Sequence, residues 1–407
     1  MSHAKIAIIG GGPGGASTAL YALERGIDPE DITLFDAAHF PRKKLCGGGL
    51  TFRGSESLQE LLGERPFGRA VPNLIFRASL GDIEVREPGP QYLYDRGILD
   101  HALIDRCRAR GIRVVEGARL KSIEPGASAH RLVFADGTRA KAVLVVGADG
   151  ARSVVRREAG LRGGPLGRLV EAVYGPGDSA RFEAFDKEGA LIFDFEPVLM
   201  GIPGYRWAFP YPLPDGERRF KVGIMDGRGI HSGERLREET SAYAESLGLI
   251  PLEPKIAGWP EHYFHRKSKA HTEGIFLTGE AWGIDPLLGE GIAPAYQMGA
   301  YAASRLKEAL DRGVRKLPDY ERRFLRSEEG KNLVFQGFLA DRLYGQNGAH
   351  WLSVLFANPR LRELAARETE VYGRLRRRAP ELILSYIALW WREHFGRRPR
   401  LTLPRAR

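Results

Sequence analysis

The chain has 407 residues, 43% of them hydrophobic, a size and composition typical of an ordered globular protein with two joined domains. The net charge of +10 is local, because residues 372–407 hold ten arginines and two glutamates and the remaining chain carries only about +2. This distribution argues against nucleic-acid binding by the body of the protein. Only two cysteines occur, Cys46 and Cys107, which argues against a disulfide framework and favours a reducing, cytoplasmic compartment. No apolar run reaches the roughly 20 residues of a membrane-spanning helix.

The first 36 residues have the pattern of a dinucleotide-binding crossover. The apolar run 5–9 predicts a strand buried on both faces, residues 16–25 a helix and residues 31–35 a second strand. Glycines between strand and helix permit a tight turn and let a pyrophosphate approach the helix N-terminus. Asp36 lies where an acid accepts a hydrogen bond from an adenosine ribose. The residues of the glycine-rich turn predicted to bind the cofactor are Gly10, Gly12, Pro13, Gly14 and Gly15. This unit predicts a dinucleotide without choosing between FAD and NAD.

Further along the chain, the predicted elements continue the dinucleotide-binding domain, leave it for a second sheet and then return to it. A helix at 99–110, a strand at 113–116, a hairpin at Asp136-Gly137 and a strand at 142–146 come first. Short β-like runs with Gly and Pro turns between residues 163 and 265 predict an antiparallel substrate sheet. A strand at 274–277 and a helix at 293–310 follow, and the chain after Pro318 is mostly helical in pattern. The predicted fold class is α/β, a Rossmann-type FAD-binding domain (1–162, with part of the substrate-side hairpins, and 266–317) with an inserted antiparallel β-sheet substrate domain (163–265) and a helical C-terminal region (318–407).

Two later turns carry acids at the ends of predicted strands. Asp149-Gly150 follows the strand at 142–146, and Gly279-Glu280 follows the strand at 274–277. An ordinary Asp-Gly turn is the plain alternative for the first. In the second turn, Glu280 is suited to forming hydrogen bonds with polyol hydroxyls. The glycine-rich helix start after it offers backbone N–H groups to a reduced flavin. That helix start contains Pro286, Gly289, Gly291 and Ile292.

In this order and at these separations, the three segments resemble the FAD-dependent oxidoreductases of the aromatic-hydroxylase type. The resemblance implies that the first segment binds the ADP half, that Asp149-Gly150 touches the pyrophosphate and that Gly279-Glu280 holds the ribitol. Glu280 stands where the superfamily usually has an aspartate, which is one methylene shorter. Arg96 lies where the superfamily often has an arginine near the cofactor, the alternative being a surface arginine beside a helix.

Two further segments resemble signatures of the geranylgeranyl reductase family, over a likeness that spans residues 4–310. Pro41-x-x-Lys44-x-Cys46-Gly47-Gly48-Gly49 matches one, and Tyr205-x-Trp207-x-Phe209-Pro210 matches the other. After the strand Lys221-Val222-Gly223-Ile224, Met225 replaces the second glycine that this family has. The resemblance implies an FAD-dependent reductase that saturates C=C bonds of an isoprenoid chain. It places Lys44, Cys46, Gly47 and Gly48 at the flavin, gives Cys46, Tyr205 and Trp207 catalytic roles and assigns Tyr205, Trp207 and Phe209 to the substrate.

Each of these roles has a plainer alternative. A thiol beside glycine-rich backbone can approach a flavin closely and serve as proton donor or positioning group, but cysteine is also a common small core residue. Tyr205, Trp207 and Phe209 project to one face of a strand, which suits either a tunnel for a polyprenyl chain or an ordinary sheet core. A monooxygenase or halogenase would share the flavin segments, and a lipid-binding or electron-transferring flavoprotein without its own chemistry is a third possibility.

The expected partners follow from this interpretation. The substrate is an apolar isoprenoid or lipid-linked molecule, and neither a metal site nor a nucleic-acid partner is predicted. The sequence contains no second glycine-rich dinucleotide unit, so electrons come from NAD(P)H docking transiently or from a ferredoxin-like protein. Segment 381–392, with paired tryptophans and basic flanks, is typical either of a helix at the inner face of the membrane or of a packed C-terminal helix.

Overall fold

The computed structural model describes residues 2–85, 89–177 and 179–367, together with Pro380 and Leu384. In chain order, its strands are β1 Ser2–Ile9, β2 Ile32–Phe35, β3 Gly49–Leu50, β4 Arg69–Val71, β5 Asn73–Ala78, β6 Gly81–Val85, β7 Gln91–Leu93, β8 Arg113–Val115, β9 Leu120–Glu124, β10 His130–Phe134, β11 Arg139–Gly147, β12 Leu166–Pro176, β13 Ala190–Asp194, β14 Arg206–Pro210, β15 Phe220–Asp226, β16 Leu249–Pro251, β17 Ala257–His262, β18 His271–Thr272 and β19 Ile275–Leu277.

Twelve α-helices lie among the described residues. In chain order they are α1 Pro13–Glu24, α2 Phe52–Leu62, α3 Arg96–Ala109, α4 Val154–Glu158, α5 Ala180–Glu188, α6 Glu196–Leu199, α7 Gly233–Ser246, α8 Ile292–Asp311, α9 Tyr320–Arg326, α10 Glu328–Leu343, α11 Gly348–Ala357 and α12 Pro359–Arg367. The helical pattern predicted after Pro318 is therefore confirmed over the part of that region that the structure describes.

The first sheet has the parallel core that the glycine-rich crossover predicts. Its strand order is β18-β19-β11-β1-β2-β8, with β10 and β9 added as an antiparallel hairpin beside β11. The pairs β19–β11, β11–β1, β1–β2 and β2–β8 are parallel. The apolar run of β1 is buried on both faces of the sheet, since Ala7 and Ile8, which point to opposite faces, are 1% and 0% exposed.

Helix α1 lies close to its neighbours because small residues line its contacts. A Cβ at Gly15 would lie 1.8 Å from the carbonyl oxygen of Gly10, so only glycine permits this helix to begin against the turn. A Cβ at Gly299 of α8 would lie 2.1 Å from Ser17 Oγ, and Ser17 Oγ donates to the Ala295 carbonyl at 3.3 Å. Helix α8 therefore packs directly on α1.

The second sheet carries the aromatic strand of the predicted substrate region. Its order is β16-β12-β15-β14-β13-β5-β6, with β17 also paired to β12. These pairs are antiparallel, except that β13 and β5 are parallel. Because β5 and β6 come from residues 73–85, the sheet combines strands from within the insertion predicted at 163–265 with strands that precede it. A small third sheet joins β3, β7 and β4.

Two element boundaries differ from the sequence prediction in a way that affects the site. Helix α3 begins at Arg96, three residues before the predicted start, because the Asp95 side chain accepts a hydrogen bond from the Ile98 amide and caps the helix. Helix α1 likewise begins at Pro13 instead of residue 16, so the glycine-rich turn merges directly into the helix.

The C-terminal segment 381–392 lies outside the described residues, apart from Leu384. Among the residues that the structure describes, no helix is long and apolar enough to cross a membrane.

Candidate active site

The three predicted cofactor segments meet at one edge of the first sheet. Strand ends Ile9, Gly147 and Leu277 are aligned in register, so the loops after them emerge side by side. A Cβ at Gly10 would lie 2.3 Å from the Ala148 carbonyl oxygen, and a Cβ at Gly14 would lie 3.3 Å from Gly279 Cα. The backbone thus brings together segments that are more than a hundred residues apart in sequence.

The N-terminus of α1 fits an anionic group. Its N-cap is Gly12, which supplies no side-chain hydrogen bond, and the first turn holds no acidic residue. The amide N–H groups of that turn are therefore available to a ligand. The Arg42 guanidinium lies over the turn, with Nη2 3.4 Å from where a Gly12 Cβ would stand, and no described residue forms a hydrogen bond with the buried Arg42 Nε. This uncapped turn with a cation beside it has the chemistry of a pyrophosphate site.

Asp36 is fixed at the end of β2 by backbone amides. The Gly11 amide donates to Asp36 Oδ2 at 2.7 Å, and the Ala38 amide donates to Oδ1 at 2.8 Å. Each carboxylate oxygen retains a second lone pair. Asp36 is therefore held at the turn as the sequence predicts, and the ribose contact remains a prediction.

Asp149 has a structural role that the sequence did not reveal. Its Oδ1 accepts from Ser153 Oγ at 2.5 Å, and its Oδ2 accepts from the amides of Val154 and Val155 at 2.6 and 3.1 Å, which caps α4. Burial raises the pKa of this carboxyl. The side chain is thus committed to the helix, so a pyrophosphate contact from this segment would come from the backbone around Gly150.

The loop before α8 supplies a second uncapped helix N-terminus. Asp285 accepts hydrogen bonds from the amides of Leu287 and Leu288, which shapes the turn after Pro286. The N-cap of α8 is Gly291, without a side-chain cap and without an acidic residue in the first turn, where Ile292 is buried. This is the chemistry expected for a site that holds the negative charge of a reduced flavin.

Glu290, in the same loop, connects it to residues 40–51, the Cys46 loop, which precede α2. Its Oε1 accepts hydrogen bonds from Thr51 Oγ1 at 3.0 Å and from the Thr51 amide at 3.4 Å. Burial, together with the nearby carboxyls of Asp285 and Glu329, raises the pKa of Glu290 to about 8, against the hydrogen bonds from Thr51, which lower it. Glu290 is consequently protonated at neutral pH and adds no negative charge beside the α8 N-terminus. The sequence analysis did not single it out.

Two more glutamates border the same loop. A Cβ at Gly150 would lie 3.5 Å from Glu280 Oε2, so the Glu280 carboxyl reaches the Asp149-Gly150 turn. A Cβ at Gly289 would lie 2.9 Å from Glu261 Oε2, a buried oxygen that has no hydrogen-bond partner among the residues that the structure describes. Burial and the neighbouring Glu280 raise the pKa of Glu261 well above its ordinary value. An unpartnered carboxyl oxygen facing this loop is a group that a polar ligand would satisfy.

Lys44 belongs to the Cys46 loop, but its side chain points away from Cys46, towards this border. Its Nζ lies 4.6 Å from the ring centroid of Trp259, two residues before Glu261 on β17, and its charge lowers the pKa of Glu261. Its assignment to the cofactor remains a prediction.

Arg96 is not the surface arginine that the sequence left open as an alternative. It is 6% exposed and forms two hydrogen bonds to the buried Asp100 carboxylate, at 2.8 and 2.9 Å. Arg42 Nη2 binds the same carboxylate at 2.9 Å. Burial alone lowers the pKa of Arg96, but Asp100 and the adjacent Cys46 together raise it above its ordinary value. A permanently charged guanidinium therefore faces the Cys46 side chain.

The Cys46 loop lies against the predicted aromatic wall. Tyr205, Trp207 and Phe209 share one face, with ring centroids 6.0 and 6.4 Å apart in sequence order, and all are at most 6% exposed. A Cβ at Gly47 would lie 2.9 Å from the Phe209 ring and 3.5 Å from Trp207 Nε1, a buried nitrogen without a hydrogen-bond partner in the described part of the chain. The Gly48 amide donates to Cys46 Sγ at 3.4 Å. The thiol, the guanidinium of Arg96 and the wall thus meet at one loop.

The aromatic wall is also part of the sheet core. Phe193 lies 5.2 Å from Tyr205 and 5.0 Å from Phe209 between ring centroids, and Tyr205 donates a hydrogen bond to the Leu288 carbonyl. Its substrate-binding role therefore remains a prediction. Three charged residues that touch the Cys46 loop were missed by the sequence analysis, because each resembles an ordinary helix or strand position: Asp100, Glu171 and Lys221.

The comparisons with known proteins agree with this cofactor geometry. Residues 3–172 match the model of an FAD binding domain. A menaquinone reductase of Mycobacterium tuberculosis is 28% identical over 74% of this chain and 76% of its own length. A digeranylgeranylglycerophospholipid reductase of Methanothrix thermoacetophila is 26% identical over 81% of this chain and 84% of its own.

Solved structures share the fold over nearly the whole chain. A geranylgeranyl bacteriochlorophyll reductase-like protein from Thermoplasma acidophilum has a TM-score of 0.74 at 17% identity, covering 96% of this chain and all of that one. The flavin-dependent brominase Bmp2 has a TM-score of 0.70 at 14% identity, covering 97% of this chain and all of its own. Fold and site define an FAD-dependent oxidoreductase. The chain is similar to the geranylgeranyl reductases, as the sequence predicts, and its residues 3–172 match an FAD-binding domain.

Substitutions at two glycines of the first turn test stability and cofactor binding separately. In the apoprotein, we expect Gly15→Ala to lower the free energy of unfolding by about 2 kcal/mol or more, because the new Cβ overlaps the Gly10 carbonyl. Gly12→Ala has room, so we expect near-normal apoprotein stability but FAD affinity weakened about tenfold or more through lost amide–phosphate hydrogen bonds. Urea unfolding and FAD titration measure the two effects. Gly337→Ala in α10, with 3.7 Å to its nearest neighbour, is the matched control.

The raised pKa of Glu290 predicts a pH-dependent difference between the wild type and Glu290→Gln. Because folding raises this pKa from 4.5 to about 8, the folded wild type binds more protons than its unfolded chain and loses stability as pH rises through that window. Glutamine mimics the protonated acid and has no such loss. We expect the apoprotein melting temperatures to agree near pH 5 and to diverge in favour of Glu290→Gln by pH 9. Parallel curves over this range would show that Glu290 is ionised at neutral pH.

Proposed function

We propose that the protein is an FAD-dependent reductase that saturates carbon–carbon double bonds of an isoprenoid, geranylgeranyl-type chain. The observation that carries the proposal is the convergence at one loop of the Cys46 thiol, the buried Arg96 guanidinium and the wall of Trp207 and Phe209. Alkene reduction needs a proton donor, a charge that stabilises the donor after transfer and an apolar surface for the chain, and this loop offers all three.

The roles of the protein groups follow from their surroundings. Reduced FAD, when bound, supplies a hydride to one alkene carbon. Cys46 Sγ–H delivers the proton to the other carbon, so that the π bond is replaced by two C–H bonds and the flavin is oxidised by two electrons. The resulting thiolate faces Arg96, whose positive charge compensates it, and solvent returns the proton. Tyr205, Trp207 and Phe209 hold the chain and exclude water.

The relatives support the substrate class. The reductases similar to this chain are named for menaquinone and for a digeranylgeranyl phospholipid, both of which carry isoprenoid chains. We therefore propose a lipid- or quinone-linked isoprenoid as substrate. The electron donor is NAD(P)H or a ferredoxin-like protein, as the sequence leaves open. The likeness to a brominase concerns the fold, so a monooxygenase or halogenase is the alternative that an experiment has to separate.

The proposal predicts turnover without oxygen. FAD-loaded protein reduced with dithionite under strict exclusion of oxygen is incubated with geranylgeranyl diphosphate or with menaquinone, and the products are analysed by mass spectrometry. We expect the product to gain two hydrogen atoms for each saturated bond. Cys46→Ala is expected to lower turnover about a hundredfold or more at normal flavin content, and Trp207→Phe to raise KM more than it lowers kcat.

Cys107→Ala is the matched control, because Cys107 is buried in α3 away from the Cys46 loop and is expected to leave turnover near normal. A reaction that requires oxygen and yields an oxygenated or halogenated product would sink the reductase proposal. Normal activity of Cys46→Ala would remove the thiol from the mechanism and leave the reductase reaction standing.

A further inference from the structure

A buried ion pair lies between the second sheet and the Cys46 loop. Glu171 on β12 and Lys221 on the adjacent β15 are 6% and 5% exposed at their side chains, and Lys221 Nζ lies 4.0 Å from Glu171 Oε1. Because Glu171 pairs with Gly223 and Val173 with Lys221, the two side chains share a face of the sheet. That face is covered by the loop that carries Cys46.

Both members of the pair bind the backbone of Cys46. Lys221 Nζ donates to the Cys46 carbonyl oxygen at 2.6 Å, and the Cys46 amide donates to Glu171 Oε1 at 3.3 Å. Lys221 therefore binds the backbone carbonyl of Cys46, and Glu171 binds its backbone amide. A cysteine in a glycine-rich segment is thus fixed at its backbone, and the Gly48 amide, which donates to Sγ at 3.4 Å, orients the thiol from this fixed position.

The same lysine connects the loop to the start of α3. Lys221 Nζ lies 4.3 Å from the centroid of the Tyr211 ring, and Tyr211 OH donates to Asp95 Oδ2 at 2.6 Å. Asp95 caps α3, whose first residue is Arg96. The anchoring contacts therefore tie the loop to the segment that presents the guanidinium to Cys46.

Stability alone does not account for such a pair. Removing two charges from water is costly, and replacing a buried pair by apolar side chains of similar volume is often neutral or stabilising. Burial raises the pKa of Glu171, against the charge of Lys221 and the amide of Cys46, which lower it. Apolar side chains at these two positions would not form the directional hydrogen bonds to the Cys46 backbone.

We propose that Glu171 and Lys221 are positioning residues that clamp the Cys46 loop, so that Sγ faces Arg96 and Gly47 rests on Trp207 and Phe209. The catalytic consequence rests on the proposed function, in which Cys46 delivers a proton. The clamp itself is a property of the chain that is measurable without any substrate.

The test removes both charges together. In Glu171→Met/Lys221→Met, neither charge is left unpaired, and the Cys46 backbone loses both partners. Hydrogen exchange of the FAD-loaded protein, followed by mass spectrometry on the peptide containing Cys46, is expected to be about tenfold faster or more than in the wild type. The kcat with geranylgeranyl diphosphate is expected to fall about tenfold or more, since the thiol is no longer held in place.

The matched control is Asp194→Asn/Arg206→Met, which removes an ion pair of the same sheet with an N–O distance of 3.0 Å and side chains that are 5% and 18% exposed. It is expected to leave exchange of the Cys46 peptide and kcat near the wild-type values. If the double methionine variant does not fold, Glu171→Gln/Lys221→Met keeps the acceptor for the Cys46 amide and is expected to show a smaller acceleration in the same peptide.

The outcomes separate the two proposals. Wild-type exchange of the Cys46 peptide in the folded variant overturns the clamp, whatever the enzyme's reaction. Faster exchange with unchanged kcat overturns the positioning role in catalysis. An inactive wild type overturns the proposed function and leaves the exchange measurement to decide the clamp.

Discussion

The parallel register of β1, β11 and β19 is the constraint on which the candidate site depends. Ile9, Gly147 and Leu277 end their strands level with one another, so three loops that are far apart in sequence must share one edge of the sheet. The space between them is so narrow that a Cβ at Gly10 would overlap the neighbouring backbone. With no side chain capping α1, the turn is left open to an anion, and the FAD-binding role of this end of the molecule follows from that geometry.

The Cys46 loop connects this edge to the second sheet. On the cofactor side, the buried Asp100 carboxylate holds both Arg42, which lies over the α1 turn, and Arg96, which faces the thiol. Thr51, at the end of the loop, binds the protonated Glu290 before α8. On the substrate side, buried charged side chains hold the loop backbone. A single segment thus contacts both the loop predicted to hold the flavin ring and the wall predicted to hold the substrate, which suits a reaction whose two reactants must meet at a fixed distance.

The sequence predicted what depends on local pattern. The apolar run of β1, the glycine spacing and the turn at Asp136-Gly137 each determine a short-range conformation, and the corresponding elements are present. Contacts between distant segments were not predictable in this way. Arg96 has the spacing of a surface residue, and only the early start of α3 and its pairing with Asp100 show that it is buried. Glu171 and Lys221 resemble ordinary polar positions of a half-exposed sheet, and only the loop that covers that face makes them buried. The role of Asp149 depends likewise on the position of α4, whose first amides donate to its carboxylate.

The central claim is that the cofactor lies across this edge, with its reactive end at the Cys46 loop. A crystal structure of the reduced, FAD-loaded protein tests it most directly. We predict the pyrophosphate at the α1 N-terminus, the isoalloxazine between the Cys46 loop and Gly289–Gly291, and Cys46 Sγ on the side that leads to Trp207. A pyrophosphate bound away from α1, or an isoalloxazine ring separated from the Cys46 loop by solvent, would contradict the account.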